Sequence, residues 1–197
     1  MYFSAMEIIF ASQNKNKIKE INALVPETIL VKGLDETIFT FELREDGDTL
    51  EANALQKARF VFEKTGQPCF ADDTGLEIQA LNGRPGVLSA RYAGEAKNAN
   101  ANIDKVLAEL VNTVNRKACF RTVIAFCDGK GEYLFEGTVT GKIAEEMIGE
   151  NGFGYDPIFM PDGFSKSFAD MTFDEKNKVS HRSMALQNFA KFLSLKG

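Results

Sequence analysis

The patterning of this chain predicts an α/β domain built on a mixed β-sheet. Residues 7–11 (EIIFA) form a short apolar run. Across a polar turn they lead into a stretch that puts Ile18, Ile21 and Val25 on one helical face, so a strand feeds a helix. Residues 118–127 and 132–140 read as two further strands joined by Asp128-Gly129-Lys130-Gly131, a hairpin signal that requires an antiparallel pair. Strands and helices then follow one another without strict alternation, which excludes a uniform doubly wound sheet.

The remaining elements follow in order. Residues 28–34 read as a second strand. A helix is expected over 48–64, with Leu55, Ala58 and Phe62 at core spacing and Asp48 and Glu51 as its capping box. Residues 68–71 form a short strand that stops at Asp72-Asp73; 76–81 continue extended, and 82–86 (NGRPG) form a loop. Ile103, Val106, Leu107, Leu110 and Val111 mark the clearest amphipathic helix. A short strand is expected at 158–160, and a closing helix over 183–195 with Met184, Phe189, Phe192 and Leu193 inward.

With 197 residues the chain fits a single domain, 1–197, of two lobes, with a hydrophobic core of useful size. A formal charge of −5 argues against a broad nucleic-acid-binding face but leaves room for a small anionic ligand held by local positive charge. Cys69, Cys119 and Cys127 lie apart in sequence, and with one histidine in the chain a zinc site is excluded; they read as free thiols of a reducing compartment. No apolar run reaches membrane-spanning length, and residues 1–5 lack the start of a leader peptide, so the protein reads as cytoplasmic, with no membrane partner.

Four segments hold chemistry. Ser12, Gln13, Asn14, Lys15, Asn16 and Lys17 lie between a strand and a helix, where backbone N–H groups and the helix dipole favour an anion; the same segment also reads as a solvated turn with a capped helix. Asp72 and Asp73 follow a buried strand, and neighbours on a strand face opposite ways, so one carboxylate serves a site while the other holds local structure. Such a carboxylate suits Mg²⁺, which takes one or two protein carboxylates together with phosphate oxygens; the alternative is a turn that satisfies its own backbone. Asn53 and Lys57 are one helical turn apart and share a face, with Glu51 in the first turn as a second metal carboxylate or a mere cap.

The fourth segment pairs Gly152-Phe153-Gly154-Tyr155-Asp156-Pro157 with Lys176, His181 and Arg182. A flat ring beside a carboxylate offers a planar base a stacking surface and an edge reader. Lysine and arginine only donate, so they favour a 6-oxo purine over adenine, which presents an amino group there. His181 reads equally as a structural histidine, and the charged run as the exposed start of a helix.

Taken in order, 11–17 (ASQNKNK), 53–59 (NALQKAR), 71–76 (ADDTGL), Gly83-Arg84-Pro85-Gly86 with Ser89-Ala90-Arg91-Tyr92, 153–157 (FGYDP), and Glu175-Lys176 with Ser180-His181-Arg182 resemble the inosine/xanthosine triphosphate pyrophosphatase family over nearly the whole chain. The resemblance implies a long mixed sheet with flanking helices forming two lobes around a central cleft. It also implies a homodimer, Mg²⁺ dependence, and cleavage of ITP, dITP and XTP to the monophosphate and pyrophosphate. Carried over, Ser12 to Lys17 and Lys57 hold phosphates, Asp73 is metal ligand and catalytic acid/base, and Thr74 touches substrate. Phe153, Gly154, Tyr155, Asp156, Lys176, His181 and Arg182 surround the base.

Two positions depart from the family pattern. Its bacterial members commonly read Glu-Glu-Asn-Ala where this chain has Glu51-Ala52-Asn53-Ala54, so Glu51 is expected to serve the metal from the adjacent position, or the ion to lean on Asp73 and phosphate. Gln13 stands where glycine is usual, stiffening the first loop. Alternatives to the pyrophosphatase are a Maf-type nucleotide pyrophosphatase of different base preference and a catalytically silent nucleotide-binding protein. A kinase is disfavoured because no kinase loop signature is present.

Overall fold

A computed structural model describes residues 6–26, 28–34 and 37–196; the expectation about a leader at 1–5 falls outside them. Strand β1 (Met6–Phe10) pairs in parallel with β2 (Ile29–Lys32) through helix α1 (Lys15–Leu24), and with β3 (Cys69–Ile78), which follows helix α2 (Leu50–Thr65). A two-residue strand, β4 (Pro85–Gly86), pairs antiparallel with β3. After helix α3 (Ala99–Glu109) come β5 (Lys117–Cys127), β6 (Glu132–Ile143) and β7 (Phe159–Pro161), the last antiparallel to β6. The sheet runs β2-β1-β3-β5-β6-β7 with β4 beside β3, so it is mixed as expected. Helices α4 (Phe173–Val179) and α5 (His181–Lys196) complete the chain.

The described chain forms two compact units. One holds the residues up to Asp73, Thr122–Gly137 and those from Ser183 on; the other holds Thr74–Arg121 and Thr138–Arg182. The first is centred on Ile8, Phe10, Phe70, Phe126 and Phe189, the second on Leu76, Ile103, Val106, Phe120, Phe159 and Phe168. Each such side chain contributes about 1.5–3 kcal/mol by leaving water.

Several local expectations are corrected. β3 is one ten-residue strand that does not stop at the aspartates, because ladders support both ends of it: Ile9 faces Cys69, and Leu76 faces Gly86. Residues 79–81 form a 3₁₀ turn in place of an extended run. Thr49, not Asp48, caps α2, its hydroxyl accepting from Ala52 N at 3.1 Å. The capping box lies instead at Thr172 and Glu175, where it opens α4. Val111 falls past the end of α3 and Met184 on the outer face of α5, at 66% and 38% exposure. In α2 the buried stripe is Leu50, Asn53, Ala54, Lys57, Ala58 and Val61, so two polar residues replace Leu55 and Phe62 at its centre.

The three cysteines are free thiols; Cys69 and Cys127 are buried and Cys119 half-buried. Burial pushes the Cys69 thiol up to about 12 and that of Cys127 up to about 11, which makes both poor nucleophiles. Among the described residues no helix is long and apolar enough to cross a membrane.

Candidate active site

The first unit gathers lysines and carboxylates around the β3 aspartates. Past the end of β1, Ser12 Oγ accepts from Asn14 N (3.2 Å), and Asn14 Oδ1 caps α1 by accepting from Asn16 N (3.0 Å) and Lys17 N (3.2 Å). The loop is therefore ordered by its own side chains, and two N–H groups expected to face an anion are taken by Asn14. Gln13 does more than stiffen this loop: its Nε2 donates to Phe39 O (3.0 Å) and Phe41 O (3.4 Å), tethering a second loop. Lys15 and Asn16 stand exposed. Lys17 reaches from α1 to Asp72 Oδ1 at 2.9 Å, against a carboxylate with no solvent exposure.

Helix α2 supplies the other half of this network. Asn53, fully buried, donates Nδ2 to Asp73 Oδ2 (3.1 Å) and accepts from Gly47 N at Oδ1 (2.7 Å). A Cβ on Gly47 would stand 2.9 Å from that same Oδ1, so the loop closes on the helix only with glycine there. Lys57 Nζ, on the same face one turn later, donates to Asp72 O (2.7 Å), lies 3.5 Å from Asp73 Oδ1, and forms a short ion pair with Glu45 of the closed loop.

The electrostatics follow from burial. Desolvation pushes the Asp73 carboxyl above the ordinary aspartate range, with Glu45 adding to the rise and Lys57, Lys17 and Asn53 opposing it. Burial works to lower the Lys57 ammonium, but Asp73, Glu45 and Asp72 outweigh it and hold it above its ordinary value. Asp72, Asp73 and Glu45 face Lys17 and Lys57. Among the described residues no three acidic, histidine or cysteine side chains form a ready ligand cluster. A hard cation that takes one or two carboxylates and draws its other oxygens from phosphate and water suits such oxygen donors. Asp73 and Glu45 both lie on Lys57 Nζ and so stand close to one another, whereas Asp72 turns its carboxylate to Lys17.

Sequence reasoning missed Glu45 and looked to Glu51, which sits half-buried in the first turn of α2. The available signal was Glu45-Asp46-Gly47, a carboxylate beside a turn glycine just ahead of the helix.

The second unit gathers cations around an aromatic ring. Asp156 Oδ2 accepts from Phe153 N (2.7 Å) and from Lys176 Nζ (2.7 Å). Gly152 has φ +76°, and a Cβ there would lie 2.2 Å from this oxygen. Asp156 is thus the clip that folds 152–156 and steers Lys176. Gly154 follows, also in the left-handed region, at φ +61°. Lys176 Nζ lies 4.9 Å and Arg182 Cζ 5.6 Å from the centre of the Phe153 ring, within cation–π range. Arg182, almost wholly buried, donates Nη2 to Thr74 Oγ1 at 3.2 Å.

His181 is buried, in line with the structural reading held equally for it. Its ring stacks on Phe120 (centroids 4.6 Å apart, planes at 17°) and lies beside Phe168, deep in the core of this unit. Tyr155 turns its hydroxyl to Ser89 O at 2.9 Å. What remains at the ring is Phe153, Lys176, Arg182 and Thr74: a flat apolar face with two donor-only cations.

A family model described as the Ham1 family matches residues 8–192. A dITP/XTP pyrophosphatase of Flavobacterium johnsoniae is 49% identical over 190 residues, covering 96% of this chain and 98% of that protein. One of Porphyromonas gingivalis is 50% identical over 188 residues, 95% and 97% of the two chains. The solved Staphylococcus aureus Ham1 protein matches with a TM-score of 0.88 at 42% identity, over 97% of this chain and all of that one.

Proposed function

Since this chain belongs to the Ham1 family, we propose that it hydrolyses dITP, XTP and ITP to the monophosphate and pyrophosphate, as a Mg²⁺-dependent homodimer acting on free nucleotides in the cytoplasm. One observation carries the reading: Lys17, Lys57, Asp72, Asp73 and Glu45 meet in one buried lysine–carboxylate network, the kind of group that holds a triphosphate and its cation.

The lysine–carboxylate network suits a triphosphate. Lys17 and Lys57, pre-set by Asp72 and Glu45, oppose phosphate charge without reorganising during the reaction. Mg²⁺ held by Asp73, Glu45 and phosphate oxygens would neutralise charge on the departing pyrophosphate. Asp73 orients a water against the α-phosphorus and takes its proton as the new P–O bond forms and the anhydride bond to the β-phosphate breaks. Asn53 and Lys57 keep its two oxygens apart in role, one on each.

The Phe153 group suits a planar base. Phe153 offers the stacking face, and Lys176 and Arg182 donate to the 6-oxo group shared by hypoxanthine and xanthine. Adenine leaves those donors unmatched, at about 1–3 kcal/mol for each lost bond. The net charge of −5 supports a free nucleotide over a polyanion as ligand.

The test is a product assay over dITP, XTP, ITP, GTP and ATP with and without Mg²⁺. The expected result is Mg²⁺-dependent pyrophosphate from the 6-oxo purines, with ATP cleaved far more slowly. Release of orthophosphate, or equal turnover of ATP, overturns the proposal.

A further inference from the structure

The motif Gly83-Arg84-Pro85-Gly86 with Ser89-Ala90-Arg91-Tyr92 has so far been given no part in the chemistry. Ser89 sits at the middle of it, buried to 8% exposure, and makes contacts in three directions. Its hydroxyl donates to Gly86 O (2.6 Å) and accepts from Leu76 N (2.9 Å), which ties it to β3 two residues beyond Thr74. Its carbonyl accepts from the Tyr155 hydroxyl (2.9 Å), which ties it to the loop that carries Phe153 and Asp156. Asn102 of α3 locks the same turn, with Nδ2 donating to Ser89 O (3.4 Å) and Ala90 O (3.0 Å) and Oδ1 accepting from Ala93 N (2.7 Å).

Every one of these groups lies within the second unit. The two anchors that Ser89 joins are those of the ring group. Thr74 fixes Arg182 through Oγ1, and the Tyr155 loop fixes Phe153 through the Asp156 clip. Tyr155 is buried to 4% exposure, and burial raises its phenol, so the hydroxyl stays a donor across the working pH range.

We propose that Ser89 and Tyr155 are positioning residues for base recognition: together they set the spacing between the Phe153 ring and the Thr74–Arg182 pair, and so the thickness and edge distance of the purine this ring group accepts. This rests on the proposed function. It goes beyond it by assigning selectivity to a hydrogen-bonded brace that does not touch the base.

The consequence is specific. Loosening the brace harms a purine read by Arg182 and Lys176 more than one that makes no bonds to them. Adenine nucleotides therefore serve as the internal control, and the ratio of dITP to ATP turnover is the readout. Tyr155→Phe is the variant of choice because it removes one hydroxyl and keeps the ring in its core. Ser89→Ala is the second, acting on the other end of the same path and stranding Leu76 N.

The experiment measures kcat and KM of wild type and Tyr155→Phe for dITP and ATP with Mg²⁺, alongside Tm. The expected result is a rise of roughly 3- to 10-fold in KM for dITP, the scale of one hydrogen bond, with kcat and ATP turnover nearly unchanged, so selectivity falls by the same factor. Ser89→Ala shifts the ratio in the same direction. An unchanged KM for dITP, or an equal loss for dITP and ATP tracking a lower Tm, overturns the brace while leaving the pyrophosphatase intact. A wild type that releases no pyrophosphate from dITP instead overturns the proposed function, and with it the substrate the brace would gauge.

Discussion

The two units bury charge in opposite ways. In the first, Lys17 meets Asp72 and Lys57 meets Asp73 and Glu45, so lysines and carboxylates interleave in one network. In the second, Lys176 meets Asp156, and both Lys176 and Arg182 lie against the Phe153 ring, with Arg182 also donating to Thr74. A buried charge is tolerated when it is paired and hydrogen-bonded. The difference teaches that the first group is built from carboxylates and ammonium groups alone, whereas the second sets its cations against an aromatic face.

The strongest way to break this contrast is Asp73→Asn. It removes the base and a metal carboxylate while keeping the bond from Asn53 geometrically possible, so turnover of dITP should fall on the order of 10³-fold with a folded protein by circular dichroism. Near-normal hydrolysis would show that the Asp73 carboxylate has no catalytic use. Glu45→Gln tests the same network more gently. The Mg²⁺ concentration for half-maximal rate should rise roughly 10- to 100-fold, whereas Glu51→Gln should leave it close to wild type. The opposite ranking would return the second metal carboxylate to Glu51.

Arg182→Ala probes the other side. Loss of dITP turnover about 10-fold greater than that of ATP is expected, the scale of one charge-assisted hydrogen bond. An equal loss for both nucleotides would reduce Arg182 to a structural partner of Thr74. The smallest effect concerns pH. Burial raises the Asp73 pKa in the metal-free protein, so its carboxyl should titrate above the ordinary aspartate range when followed by NMR without Mg²⁺. Lys57 is the largest influence lowering that pKa, so Lys57→Met should move this titration to higher pH; a shift to lower pH would contradict the coupling.

Much of the site was legible before any coordinates. Asn53 and Lys57 share a face because a helix returns after four residues, and both are buried against β3 as that spacing implies. The Asp72-Asp73 pair stood out as carboxylates after an apolar strand, and the resemblance singled out Asp73. Other parts were hidden for identifiable reasons. Helix α4 is only seven residues long and mostly charged, so it shows no apolar period; its capping box at Thr172 and Glu175 was the one local sign of it. Glu45 lies in a loop whose closure depends on Gly47 meeting Asn53, a contact no periodicity reports. Asp156 looked like a reader of bases because its neighbours are glycines and an aromatic, and those glycines also let Phe153 N turn back onto it.

The sequence by itself determined the local grammar: where strands yield to helices, the Asp-Gly-Lys-Gly hairpin, and a Ser-Gln-Asn-Lys turn ending in an asparagine cap. It also determined which kinds of side chain were on hand for a divalent ion and a 6-oxo ring. Only the tertiary structure decided who pairs with whom. Lys17 finds Asp72 across 55 residues and Arg182 finds Thr74 across 108, and hydrogen bonds of that reach are set by the order of strands in the sheet. Neighbouring residues constrain φ and ψ over a few positions, whereas the partner of a buried charge is chosen by whatever the packed fold brings within 3 to 4 Å, roughly the reach of an ion pair.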